Sequence, residues 1–289
     1  MGDSAPGDSP PVERVAVPVD TRAPDGTTNA YLAAGLLVDP AARTPVLDAA
    51  VGVDGERGSG PETGAIDAIA VTHTHPDHVG AVAEYADLTG APVFAHADHV
   101  DRFAAATGVE PDGAFRDGDR VGDTPVRAVE TPGHAPDHVA FAVTEERGGG
   151  PPSRELLCGD LAVAEGSVVV GAPEGDVREY LDSLERVRNA GYERLHPGHG
   201  PEIDDPEAVC ERLIDHRQER EDAVLDAVEA GASDVGSVVD AAYEKDLTGV
   251  ADLARATVVA HLETLLAEGR IDRVWGDRIE DVTETPLGE

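Results

Sequence analysis

The stretch VTHTHPDHVG, Val71–Gly80, places His73, His75, Asp77 and His78 within six positions, directly after the apolar run AIDAIA. A short apolar run ending in polar residues is the pattern of a buried strand that delivers side chains at its C-terminal edge. On an extended segment residues two apart point the same way, so His73 and His75 can hold one ion together. The turn at Pro76 then aims Asp77 and His78 elsewhere, at a second ion. Imidazoles and carboxylates with an open position for water are the donor set of a hydrolytic metal site.

Three later pieces have the same character. TPGHAPDH (Thr131–His138) sets His134 on a Pro-Gly turn after a strand, CGDLA (Cys158–Ala162) sets Asp160 at a strand end, and HPGHGP (His196–Pro201) sets His199 on a second Pro-Gly turn. In order and spacing these pieces resemble the metallo-β-lactamase superfamily over roughly residues 12–210. The resemblance implies an αββα sandwich. It also implies His73, His75 and His134 as ligands of a first metal, Asp77, His78 and His199 as ligands of a second, and Asp160 between them. Two zinc ions are the implied cofactor, with iron or manganese as alternatives, because nitrogen and oxygen ligands do not select among them. The implied chemistry is attack by a metal-bridging hydroxide, with Asp77 orienting the nucleophile and accepting its proton.

The rest of the chain fits an α+β class, with hairpin strands mixed with helices. Residues 1–11 are expected to be a flexible tail. VERVAVPV, TTNAYLAAGLLVDP and TPVLDAAV are expected as strands, and DGERGSGPETG (Asp54–Gly64) as a polar loop. HVGAVAEYADLTG is expected as a helix capped at Gly90. EERGGGPPSRE is expected as a hairpin loop, and VREYLDSLERVRNAG as an amphipathic helix. From about residue 211 the pattern is helical, followed by two short strand-like pieces, RIDRVW and RIEDV, around Gly276-Asp277. Three helices and a hairpin predict a small winged-helix domain over 211–289, after a catalytic domain over 12–210.

The charge balance is 58 acidic against 22 basic residues, a formal net charge of -36, and Lys245 is the one lysine. Acidic residues recur along the whole chain between apolar positions, which excludes a disordered acidic tail as the source of the charge. Such a surface resembles the proteins of extreme halophiles, where molar salt screens self-repulsion. Cys158 and Cys210 form no paired motif, and the N-terminal residues lack a basic and apolar leader, so a reducing cytoplasm is the expected location. No apolar stretch approaches the roughly 18 residues of a membrane span.

PGHGPEIDDPEAVCERLIDHRQERE followed by HLETLLAEGRI resembles the beta-lactamase-like-protein-two group, in which a catalytic domain precedes a winged helix. That resemblance implies single-stranded RNA as one substrate class. A small-molecule ester or thioester, hydrolysed in the manner of glyoxalase II, is the alternative. Phosphate tracking needs clustered Lys and Arg, and Arg212, Arg217 and Arg220 are the candidate patch. A winged-helix DNA-binding regulator is disfavoured, because its recognition helix would carry one arginine and two glutamates. His138, His196 and His216 are candidates for supporting the ligands or touching substrate. His96 and His99 are expected at a helix start, His261 in a helix without chemistry, and Cys158 as a buried small residue.

Overall fold

The computed structural model describes residues 12–53, 66–145, 152–243 and 246–283. The expected tail, the Asp54–Gly64 loop, most of the EERGGGPPSRE loop and Lys245 lie outside them. The chain divides into two compact units. One comprises Met1–Val129, Val139–Gly159 and His196–Gly200, and the other Glu130–His138, Asp160–Leu195 and Pro201–Glu289.

The first unit is built on a mixed sheet of β1 (Val12–Pro18), β2 (Thr27–Ala33), β3 (Leu36–Val38) and, after helix α1 (Pro45–Ala50), β4 (Ala68–Ala70), in that order. β1, β2 and β3 pair antiparallel, and β4 joins β3 in parallel. Helices α2 (Pro76–Val79) and α3 (Val82–Thr89), the short parallel pair β5 (Phe94–His96) and β6 (Gly113–Phe115), and α4 (Val100–Thr107) follow. A second sheet has the order β10-β9-β8-β7, from β7 (Arg127–Glu130), β8 (Val139–Glu145), β9 (Ser153–Gly159) and β10 (Arg194–Pro197).

Strand alternation explains the layers. Val15, Val17, Ala30, Leu37 and Ile69 face one core, shared with Leu47 of α1, Val82 and Tyr85 of α3, and Phe103 of α4. Their neighbours Tyr31, Ala33, Leu36, Val38, Ala68 and Ala70 face the opposite way, into a core with Val139, Phe141 and Leu157 of the second sheet. The first sheet thus has helices on one face and the second sheet on the other, and each fully buried large side chain stabilises the stack by about 1.5–3 kcal/mol.

The second unit holds α5 (Val177–Asn189) and a helical region of α6 (Pro206–Glu229), α7 (Val235–Ala242), α8 (Ala251–Ala267) and α9 (Val274–Thr283). Val224, Val238, Val258, Leu262, Leu265 and Trp275 form its core.

Three local expectations are corrected. TPVLDAAV is helix α1, not a strand, because Thr44 caps it by accepting the amide of Leu47 and Pro45 opens its first turn. TTNAYLAAGLLVDP is two strands, with Ala34 and Gly35 turning between them at positive φ. The pieces RIDRVW and RIEDV are not a β wing. They lie in and before α9, where Trp275 and Ile279, four apart on the helix, face the helical core and Ile271 just before the helix packs on the same core. Helix α6 also runs unbroken across position 211. Gly90 does cap α3 in the left-handed conformation.

Candidate metal centre

In the first unit, β4 ends at Ala70, and the chain continues through Thr72 to His73 before α2 starts with His75 at its N-cap and Pro76 in its first turn. The rings of His73 and His75 approach so that His73 Nε2 lies 2.8 Å from His75 Nδ1. The His73 and His78 ring centroids are 4.2 Å apart, and those of His78 and His199 are 5.2 Å apart. One ligand atom from each of Asp77, His78 and His199 falls within 4.8 Å of the others. His199 Nε2 lies 3.5 Å from Asp77 Oδ2.

The loop that carries His199 is anchored to β2. Asn29 donates from its amide side chain to the carbonyls of Pro197 and Gly200, and the Tyr31 hydroxyl donates to Pro197. His199 itself donates from Nδ1 to the Thr27 carbonyl at 2.8 Å.

Asp39, between β3 and α1, organises the other end. Its carboxylate accepts from the Thr72 amide at 2.7 Å, the Thr72 hydroxyl at 2.8 Å and His78 Nδ1 at 2.9 Å. The Thr72 hydroxyl, having donated to Asp39, accepts from His73 Nδ1. Asp39 holds φ at 51°, a left-handed conformation that costs on the order of 1 kcal/mol for a residue with a side chain. Asp77 Oδ2 accepts the Thr21 hydroxyl at 2.5 Å. Asp39 and Thr21 were missed by sequence reasoning. Asp39 sits in LLVDP, which has the look of an ordinary strand end and turn, and Thr21 has no local signal.

The second unit carries His134 and Asp160. Asp160 directly follows β9, and His134 sits on the turn after β7. His134 donates from Nδ1 to the Val169 carbonyl at 2.7 Å, and its Nε2 lies 3.6 Å from Asp160 Oδ2. Gly133 makes this turn possible. Its φ is 124°, and a Cβ there would overlap the Tyr180 backbone nitrogen and Cα, at the start of α5. His138, fully buried, accepts the Asp160 amide on Nε2 at 3.1 Å, which leaves its Nδ1 to donate to the Thr131 carbonyl at 2.9 Å. It therefore fixes the backbone of Asp160. The loop after Asp160 is tied down by Arg212 of α6, whose guanidinium donates to the carbonyls of Gly166, Val163 (2.8 Å) and Ala164 (3.2 Å).

The remaining candidates fall apart from these groups. His196 bonds Glu155 at 2.7 Å through Nε2 and meets Tyr31 edge-on, inside the first unit. His216 lies half-buried on α6 and is no member of a ligand-distance group among the described residues. His96 and His99 flank the start of α4, and Cys158 is a buried thiol outside any disulfide. The expected arginine patch is corrected. Arg212 is committed to loop carbonyls, Arg217 is 4% exposed, and Arg220 lies over the Tyr243 ring with its centroid 3.7 Å away. They do not form an open phosphate-tracking surface.

A metal fits the donor set. His73, His78, His134 and His199 each engage Nδ1 with an oxygen, which fixes the tautomer that leaves the Nε2 lone pair for a cation.

Residues 23–199 match the Metallo-beta-lactamase superfamily. The chain belongs to that superfamily. It is a hydrolase of this family, and its histidine and aspartate residues are compatible with a binuclear site. It is similar to the Beta-lactamase-like protein 2 homolog of Drosophila melanogaster, 30% identical over 224 residues, 73% of this chain and 72% of that protein. The Caenorhabditis elegans homolog of the same name is 31% identical over 166 residues, and the chain spans only about half, 51%, of its length. An Atrochrysone carboxyl ACP thioesterase of Aspergillus fumigatus is 28% identical over 228 residues, 74% of this chain and 67% of that enzyme. Among solved structures, a metallo-beta-lactamase family protein from Thermus thermophilus superimposes with a TM-score of 0.69 at 27% identity, covering 91% of this chain and 96% of that one. No helix of the described residues is long and apolar enough to cross a membrane.

Proposed function

We propose that this superfamily hydrolase cleaves thioesters, with a binuclear metal site supplied by His73, His75 and His134, by Asp77, His78 and His199, and by Asp160 shared between them. The catalytic part is proposed over residues 12–210, with the helical region after it, in a cytoplasmic protein. Divalent metal bound there would supply Lewis-acid polarisation of the scissile carbonyl and acidify water, with zinc the first choice.

The chain's own residues have distinct roles in this reading. Asp77 orients the attacking water and takes its proton on the carboxylate, which the Thr21 hydroxyl positions through Oδ2. His138 holds Asp160 by its amide, and Asp39 holds His78 by Nδ1.

The observation that carries thioester over RNA is the fate of Arg212, Arg217 and Arg220. Two are spent on carbonyls and one is buried, on a chain with a net charge of -36, so a polyanion finds little to hold. The thioesterase relative supports the same side.

The test is a substrate panel of S-acyl thioesters, lactones and single-stranded RNA, run with zinc-loaded full-length protein in concentrated KCl. Thioester turnover that Asp77→Asn abolishes supports the reading. RNA cleavage with intact thioesters would reverse it in favour of an endoribonuclease.

A further inference from the structure

Away from the metal ligands, the helical region of the second unit buries a cluster of charge that hydrolysis does not use. Arg217 of α6 is 4% exposed, and its Nη1 has no hydrogen-bond partner among the described residues. Among the described residues, the groups that act on its charge are Tyr180, Tyr243 and Arg220, none of them a carboxylate. His261 of α8 is fully buried. Neither of its ring nitrogens has a hydrogen bond among the described residues, and Nδ1 stands 3.9 Å from the nearest Glu221 oxygen. Arg217 and Arg220 both lie near enough to His261 to oppose its protonation.

The charges do not balance. Glu221 is taken by Arg270, which also meets Glu268, and Arg220 is directed to the Ala242 carbonyl and the Tyr243 ring. Among the described residues of this cluster, the guanidiniums of Arg217, Arg220 and Arg270 stand against the carboxylates of Glu221 and Glu268, and Arg217 is the most buried of the three. Arginine cannot escape by deprotonation. A buried charge is tolerated when it is paired. Water could satisfy the Nη1 proton but would leave the charge.

We propose that Arg217, with His261 and Arg220 beside it, forms a binding site for one monovalent anion of halide size. Arg217 supplies the charge and a free N–H, and neutral His261 supplies a second donor. The Glu221 carboxylate near His261 disfavours a divalent oxyanion such as sulfate. The site exists only in the folded chain, since its donors come from α6 and α8, so the anion would act as a stabilising ligand.

The test uses full-length protein. Crystals soaked in bromide should show an anomalous peak against Arg217 Nη1. In thermal melts at matched ionic strength, chloride should raise the midpoint above that in gluconate, with stability growing as the logarithm of chloride at a slope of one ion. Arg217→Met should lose that chloride dependence. A water in place of the bromide, or an equal chloride response in Arg217→Met, would overturn the proposal. If Arg217→Met does not fold, the bromide map of the unsubstituted protein decides alone.

Discussion

Asp39 Oδ2 lies 2.9 Å from Nδ1 of His78, with both side chains shut off from solvent. The same carboxylate holds the amide and hydroxyl of Thr72, and through that hydroxyl it orders His73. One aspartate thus sets the tautomers of two imidazoles that are separated by five positions in sequence.

Asp39→Asn should therefore weaken metal binding by about 10- to 100-fold, the usual effect of removing a carboxylate behind a ligating histidine. Asparagine tolerates the left-handed backbone, so the fold should persist. Competition between the protein and a chelator measures the change, with circular dichroism as the control. An affinity equal to that of the unsubstituted protein would mean that His78 does not need its carboxylate.

Gly133→Ala should be severely destabilising. The added methyl runs into the Tyr180 backbone, and backbone at the start of a helix cannot swing aside. The turn also accepts the Asp176 amide on the Gly133 carbonyl, so a shift would disturb the N-cap of α5. We expect a loss of about 3 kcal/mol or more, from overpacking together with left-handed strain. Denaturant titration reads it directly, and an unchanged midpoint would show that the turn can relax.

Much of this architecture was legible in the sequence because its signals are local. AIDAIA followed by histidines marks β4 and its edge, and the two Pro-Gly turns mark where β7 and β10 end. What escaped depends on distant partners or on competing signals. TPVLDAAV has enough valine and leucine to resemble a strand, yet the Thr44–Pro45 start outweighs that propensity. RIDRVWGDRIEDV alternates like a hairpin around Gly-Asp, but burying Trp275 and Ile279 on one core selects the helix. Arg212 and Arg217 share a helix and look alike in sequence. Only the packing of α6 sends one to the loop carbonyls and the other into the interior.

Arg212→Met should loosen the loop that follows Asp160. Three carbonyl bonds are lost, each worth about 1 kcal/mol net and less at this exposed position, so a stability loss of about 1–2 kcal/mol is expected. The same loop presents the Val169 carbonyl to His134, so chelator competition should show weaker metal binding as well. Lower stability with unchanged metal affinity would show that the clamp stops short of His134.

His261 should make the helical region sensitive to acid. Burial is the main reason its pKa lies below the ordinary 6.5; Arg217 and Arg220 push the same way, while nearby Glu221 pulls against them. The folded state thus keeps the imidazole neutral where the unfolded chain binds a proton. Stability from this group is complete above the ordinary histidine value and is lost as pH falls from there toward the lower folded value. Within that window the slope is up to about 1.4 kcal/mol per pH unit, the limit for one proton. His261→Leu, which cannot titrate, should flatten the stability profile below neutrality relative to the unsubstituted chain. Parallel profiles from urea titrations across that range would show that His261 protonates in place, with Glu221 absorbing the charge.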